Sequence, residues 1–222
     1  GKNNVLFLTE NSDKLDGNLK ILYEKYINLK EYKVKYYSKD VFHIHGGMSK
    51  LIHFIKVTNI VALSDIIIVD NYVPTLTLIN FSKSTRYVQL WHAGIGFKSV
   101  GFARFGLDGS PNPFRSSHRR YTDAIVDQEN LIDIYKEVYG VSKNIFKSYG
   151  MPRLEGYLNK EKIDETINRV YSEHSELRNK KIILFSPTYR GNGSKDAYYD
   201  YSLINLDEIY NYAKKNDFIF VI

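Results

Sequence analysis

Apolar and polar positions along the chain alternate between two periods. Val5-Leu6-Phe7-Leu8 is a short apolar run followed by a polar loop over residues 9–17, and Leu19, Leu22, Tyr23 and Tyr26 then recur at helical spacing. Lys33-Val34-Lys35-Tyr36-Tyr37 alternates as a strand, and Leu51, Phe54, Ile55 and Val61 mark a second helix whose apolar surface Ile52 and Ile60 widen. Ile66-Ile67-Ile68-Val69 is a continuous β-branched run of the kind buried on both faces of a parallel sheet. Tyr87-Val88-Gln89-Leu90-Trp91, Ala124-Ile125-Val126 and Ile145-Phe146-Lys147 are further strand candidates. Strands and helices in this alternation predict an open α/β sheet, whose ligands sit outside the carboxyl ends of the strands. The loops after Leu8, Val69, Trp91 and Val126 are therefore the places to look for chemistry.

A boundary is expected between residues 156 and 180. Residues 160–179 are highly charged and predict a linking helix. Beyond it come a strand over residues 181–186, a helix over 206–215 and a strand over 218–222. This divides the chain into an N-terminal Rossmann-like unit, 1–158, and the linker with the start of a second, 159–222. A β–α–β start cannot close its own core, so the sequence reads as part of a longer protein.

Composition narrows the classes. The 222 residues carry 31 Lys+Arg against 25 Asp+Glu, a formal charge of +6, and 43% are hydrophobic, which suits a folded domain and not a disordered tail. The excess of positive charge suits a phosphate-bearing partner, whether nucleotide, nucleic acid or anionic membrane. Cys is absent, which removes disulfide scaffolds, thiolate zinc sites and cysteine nucleophiles. No stretch approaches the ~18 apolar residues of a membrane-spanning helix, and the first residues lack a signal-peptide pattern. The absence of Cys is compatible with a cytoplasmic setting.

The densest chemistry lies in Trp91-His92-Ala93-Gly94-Ile95-Gly96-Phe97-Lys98. A His at a strand's carboxyl edge can act as a general base. Gly94 and Gly96 let backbone N–H groups approach an anion, and Lys98 adds a point charge. A hydrogen-bonded structural His is the competing reading. The glycines are not a dinucleotide fingerprint, because Ser99 stands where the third glycine belongs. Downstream, Arg115, His118, Arg119 and Arg120 are interleaved with Ser116 and Ser117 and read as a phosphate- or headgroup-binding edge, with a solvated basic loop as the plainer alternative. No recognition module accompanies the charge, which argues against nucleic acid. Arg153 in Gly150-Met151-Pro152-Arg153, and Thr188 and Arg190 in Ser186-Pro187-Thr188-Tyr189-Arg190, each follow a strand's end. His43 and His45 fall on one face of an expected strand without enough ligands for a metal, while His53 and His174 read as structural or solvated.

Taken in order, these segments resemble the CDP-glycerol glycerophosphotransferase family, the teichoic acid primases and polymerases. The resemblance rests on Gln89-Leu90-Trp91-His92-Ala93-Gly94 with Phe97-Lys98 and Gly101-Phe102. It continues through Tyr121-Thr122-Asp123-Ala124-Ile125-Val126, Tyr149-Gly150-Met151-Pro152-Arg153 and Phe185-Ser186-Pro187-Thr188-Tyr189-Arg190, covering roughly residues 50–222. Two departures stand out: a Phe-Lys version of the segment after His92, and Leu154-Glu155 after Arg153.

The resemblance implies a GT-B-like architecture of two Rossmann-like lobes, the acceptor-side lobe first. It implies transfer of glycerol phosphate or ribitol phosphate from a CDP-polyol to a hydroxyl of a lipid-linked or polymeric acceptor, in teichoic acid or capsule synthesis, with release of CMP. His92 would be the base. Lys98 and Arg190 would stabilise the transferring phosphoryl group, while Arg115 and Arg119 hold an anionic acceptor. CDP-glycerol or CDP-ribitol is the donor, no other cofactor is implied, and divalent metal and oligomeric state stay open. A peripheral position on the inner, anionic face of the cell membrane follows from the same resemblance. Two alternatives remain on the residues alone: a GT-B glycosyltransferase using a nucleotide sugar, and a non-catalytic lobe that binds anionic polymer.

Overall fold

The computed structural model describes residues 3–92, 99–107, 112–187 and 198–222. They form two compact units, Gly1–Glu155 and Gly156–Ile222.

The first unit follows the alternation of the sequence. β1 (Asn3–Thr9) leads into α1 (Gly17–Tyr26), β2 (Tyr32–Ser38), α2 (Gly47–Ala62), β3 (Ile66–Val69), the short α3 (Pro74–Leu78) and β4 (Arg86–Gln89). β5 (Asp123–Val126), α4 (Ile132–Tyr139) and β6 (Phe146–Ser148) complete it. The six strands form one sheet in the order β2-β1-β3-β4-β5-β6, every neighbouring pair parallel. Strand order reverses between β1 and β3, so the crevice where such sheets bind ligands opens at their carboxyl ends.

The apolar runs are buried on both faces, as a parallel sheet requires. Val5 and Phe7 point to one side with Leu19 of α1, Ile68 and Leu90. Leu6 and Leu8 point to the other, with Val57 and Val61 of α2, Leu76 of α3 and Tyr135 and Tyr139 of α4. Each large side chain taken fully out of water contributes about 1.5–3 kcal/mol. Phe7 adds edge-on contacts to Tyr23 and Tyr26, ring centres 5.7 and 5.6 Å apart. At the edge, β2 exposes Lys33 and Lys35, charges that discourage pairing with another chain.

Several of these expectations are corrected. β4 stops at Gln89 and not Trp91, because Trp91 turns into the left-handed region at φ 54°. The charged linker helix is α5 (Lys160–Glu173), which ends six residues early at His174, φ −134°, before a short 3-10 turn. The segment with His43 and His45 is no strand: Val41–His43 is a 3-10 turn begun by Asp40, whose carboxylate caps Phe42 N and pairs with the His43 ring.

The second unit holds α5, β7 (Lys181–Leu184), α6 (Leu206–Lys215) and β8 (Phe218–Val221). β7 and β8 pair in parallel from Lys181↔Phe218 to Leu184↔Val221, with α6 between them in sequence. Asn205 caps α6 by accepting from Glu208 N. Asp207 and Glu208 sit in its first turn and Lys214 and Lys215 in its last, which complements the helix dipole. The structure is thus α/β throughout: a Rossmann-like unit and a smaller β–α–β unit.

Candidate active site

Three buried strand ends meet at the carboxyl edge of the first unit. Glu10 follows β1, Asp70 follows β3, and the Leu90-Trp91-His92 turn follows β4. The turn is built by its own side chains. Gln89, fully buried, accepts a hydrogen bond from Trp91 N at 2.7 Å and donates to Asn71 O and Tyr121 Oη at 3.2 and 2.7 Å. Asn18, in the first turn of α1, donates to Trp91 O at 2.6 Å. These contacts hold a large non-glycine residue in a backbone conformation that costs about 1 kcal/mol or more.

His92 leaves that turn half-buried, its ring 4.5 Å from that of Trp91. Its Nδ1 lies 2.8 Å from the backbone oxygen of Asp70. A carbonyl only accepts, so Nδ1 carries a proton, and in the neutral form of the ring the lone pair is on Nε2. A general base acting through Nε2 needs that tautomer.

Arg153 arrives from the loop after β6. Gly150 takes φ 79° there and donates to Val126 O at 3.2 Å, turning the chain back over the sheet edge. Arg153 N donates to Asn18 Oδ1 at 2.9 Å, and the guanidinium donates to His92 O. The structure therefore brings His92 and Arg153, 61 residues apart, into direct contact.

Asp70 and Glu10 were not singled out by sequence. Burial raises the Asp70 carboxyl to about 6, against the Asn71 side chain, backbone N–H groups including that of Leu19, and the nearby Arg153 charge, which favour its ionised form. Asn71 Nδ2 donates to it at 3.2 Å. Glu10 is fully buried and accepts from Thr75 N at 3.0 Å, at the start of α3. Its other oxygen lies 2.7 Å from His53 Nε2, while His53 Nδ1 lies 3.0 Å from Tyr37 Oη, so His53 is structural as the sequence suggested. Both acids directly follow apolar strands, the signal that identifies them. Asn18 has no such signal, because its partners lie 73 and 135 residues away.

The basic segment after residue 114 is divided by the structure. Arg115 and Arg119 are exposed. Ser116, Ser117 and His118 are buried, and Ser116 caps His118 N, so the interleaved hydroxyls belong to the packing and not to an anion-binding edge. His118 stacks on Tyr139 at 4.9 Å and lies 2.8 Å from Tyr121 Oη; burial lowers its pKa to about 4. Arg120 is half-buried, donates to Ile79 O at 2.6 Å and covers the Phe81 ring. Gly94, Gly96, Lys98, Thr188 and Arg190 lie outside the described residues. Among the described residues no group of three or more His, Asp or Glu side chains could hold a metal ion.

A histidine whose Nδ1 is held on a main-chain oxygen, beside an arginine at the crevice of a parallel sheet, is a candidate base for transfer to a hydroxyl, and comparison with known proteins gives the family. The family model for CDP-Glycerol:Poly(glycerophosphate) glycerophosphotransferase matches residues 1–222. The chain belongs to this glycerophosphotransferase family. It is 33% identical over 224 residues to the teichoic acid poly(ribitol-phosphate) polymerase of Bacillus spizizenii, covering 99% of this chain and 35% of that protein. It is 30% identical over 216 residues to the teichoic acid ribitol-phosphate polymerase TarL of Staphylococcus aureus, covering 97% of this chain and 38% of that one. Among solved structures, the wall teichoic acid polymerase TagF matches with a TM-score of 0.71 at 15% identity, over 98% of this chain and 55% of TagF, a likeness of fold. This glycerophosphotransferase-family chain thus spans little more than a third of the two polymerases.

Proposed function

We propose that the protein transfers a polyol phosphate from a CDP-polyol to a hydroxyl of a lipid-linked or polymeric teichoic acid acceptor, releasing CMP. The observation that carries this reading is His92, at the carboxyl end of β4 with Nδ1 committed to Asp70 O. Nε2 takes the proton of the acceptor hydroxyl as its oxygen attacks the phosphorus bearing the polyol. The P–O–P bond breaks in line, a new phosphodiester forms, and CMP leaves with the electron pair. Positive groups stabilise the charge on the transferring oxygens; Lys98 and Arg190 fill this role, and Gly94, Gly96 and Thr188 approach the phosphates. Arg153 adds charge beside His92, while Arg115 and Arg119 hold acceptor phosphates. Residues 1–158 serve the acceptor side, and residues 159–222 belong to the donor side.

Relatives that match nearly the whole chain are named for ribitol phosphate. Glycerol-phosphate primases match over 63% of it, as in Bacillus subtilis. This favours CDP-ribitol over CDP-glycerol and a polymeric acceptor. No helix among the described residues is long and apolar enough to cross a membrane. A net charge of +6 supports peripheral attachment at the anionic cytoplasmic leaflet, where each well-placed Lys or Arg contributes about 1 kcal/mol.

The test is CMP release by the full-length protein from CDP-ribitol, CDP-glycerol and a UDP-sugar, with lipid-linked acceptor and His92→Ala alongside. CMP from a CDP-polyol, lost in the variant, is expected. UDP release without CMP would make the protein a glycosyltransferase and overturn the reading. Acceptor binding without turnover of any donor would make it a binding lobe.

A further inference from the structure

Asn18 is 1% exposed, so it cannot reach substrate. Its amide nevertheless joins the two segments that carry the candidate chemistry. Nδ2 donates to Trp91 O at 2.6 Å, and Oδ1 accepts from Arg153 N at 2.9 Å. The partners fix the orientation of the amide, since a carbonyl can only accept and a backbone N–H can only donate. Arg153 in turn donates from its guanidinium to His92 O. The two carbonyls that flank the Cα of His92 are therefore held by Asn18 and by the arginine that Asn18 itself positions. The circuit runs Asn18, Trp91, His92, Arg153 and back to Asn18.

The restraint acts on a backbone with reason to move. Trp91 stands at φ 54°, a conformation that bulky residues avoid. Two contacts on its own peptide groups oppose relaxation: Gln89 Oε1 on Trp91 N and Asn18 Nδ2 on Trp91 O. If the Trp91–His92 peptide rotated, the imidazole would be carried away from Asp70 O, its tautomer-setting partner at 2.8 Å.

From this circuit we infer that Asn18 is a positioning residue for His92: it fixes the Trp91–His92 peptide and the Arg153 backbone so that the imidazole keeps its Nδ1–H on Asp70 O. The inference rests on His92 being the base, and it deepens that reading. Asn18→Asp isolates the effect. The shape is kept and an oxygen still accepts from Arg153 N, but once the new carboxyl is ionised the atom facing Trp91 O is an acceptor and repels it. The variant is therefore read at a pH where that carboxyl has lost its proton, and Asn18→Ala removes the donor at any pH.

Three readouts on the full-length protein decide the matter: nitrogen-15 shifts of the His92 ring, assigned against His92→Ala; kcat and KM for CMP release; and the same kinetics in the His92→Ala background. Asn18→Asp and Asn18→Ala are expected to move His92 away from the Nδ1–H tautomer. They should lower kcat roughly 10- to 100-fold with donor KM within about threefold, since a misplacement near 1 Å costs on the order of 100-fold. Added to His92→Ala, Asn18→Asp should cost nothing further. An unchanged His92 tautomer in a folded variant overturns the inference, as does an equal loss of activity in the His92→Ala background, which would mark a merely structural role. Should one variant fail to fold, the other carries all three readouts. If the parent protein releases no CMP, the functional reading fails, yet the ring shifts still decide whether Asn18 sets the tautomer.

Discussion

The ring nitrogen Nδ1 of His92 and the main-chain oxygen of Asp70, 2.8 Å apart, tie the end of β4 to the end of β3. The partner is main chain, so the tautomer of His92 survives any change in the Asp70 side chain that leaves the fold intact. His92→Gln removes the candidate base while keeping a polar side chain at a half-buried position. It is expected to lower CMP release about 10²- to 10⁴-fold, the usual worth of a positioned general base. Its thermal midpoint should stay within a few degrees of the parent. Side-by-side turnover and thermal melting check both halves.

The Asp70 side chain makes a separate, pH-dependent contribution. Burial raises its carboxyl from 3.8 to about 6. Between those values the unfolded chain has lost the proton that the native state keeps, so ν_U is smaller than ν_N and stability falls as pH rises from about 4 to about 6. The shift of roughly two units corresponds to about 3 kcal/mol. Asp70→Asn should therefore be the more stable protein above pH 6, by up to about 3 kcal/mol, with the difference vanishing near pH 4. Urea unfolding at pH 4.5, 6 and 7.5 measures it. A carboxylate kept at such a cost beside the candidate base fits a functional site better than a packing role.

His118 works in the opposite direction. Burial lowers it from 6.5 to about 4. In that window the unfolded chain binds a proton that the native state refuses, so stability rises with pH, by about 3 kcal/mol in all. The slopes of Asp70 and His118 oppose each other between pH 4 and 6, and the parent should show a shallower dependence than either variant. His118→Gln should lose stability at neutral pH with the Tyr139 stack, yet become less stable as pH rises from 4 to 6. Asp70→Asn should show the reverse slope. Matching slopes in the two variants would exclude this compensation.

The parallel sheet was legible because its strands are apolar runs set by local chemistry: Ile66–Val69 had no competing assignment. His92 and Arg153 were legible as residues following strand ends. Their contact was not, since it depends on Gly150 at φ 79° folding the chain back over the sheet edge. The segment Arg115–Tyr121 misled for a physical reason. Ser, His and Arg read in sequence as a phosphate- or headgroup-binding edge, or more plainly a solvated basic loop, but Ser116, Ser117 and His118 are buried together with Tyr121, and Tyr139 stacks on His118. Asn18 was invisible because an amide that joins three distant elements leaves no periodic trace.

Gly101-Phe102 has a physical explanation in the structure, which yields the last prediction. Gly101 stands at φ 51°, and a Cβ there would meet Val138 O at 1.9 Å, with the Val138 carbonyl carbon at 3.0 Å. Both are main-chain atoms of α4 and cannot swing aside. The neighbouring Phe102 ring packs over Gly140, the left-handed residue that ends α4 at φ 65°, and meets Phe114 edge-on at 5.3 Å. This segment is thus docked on the end of α4, whose Tyr139 lies 6.1 Å from the Trp91 ring beside His92. Gly101→Ala combines backbone strain with a main-chain clash and should cost roughly 3 kcal/mol or more. At about 2–4 °C per kcal/mol for a protein of this size, the melting midpoint should fall by roughly 10 °C. Gly106→Ala is the control: its φ is 79°, but nothing lies within 4 Å of its Cβ position. Strain alone then predicts a loss of about 1–2 kcal/mol. Equal melting losses in the two variants would mean that the close approach to α4 contributes nothing. A much larger loss for Gly101→Ala would establish that contact as what fixes the segment beside the candidate base.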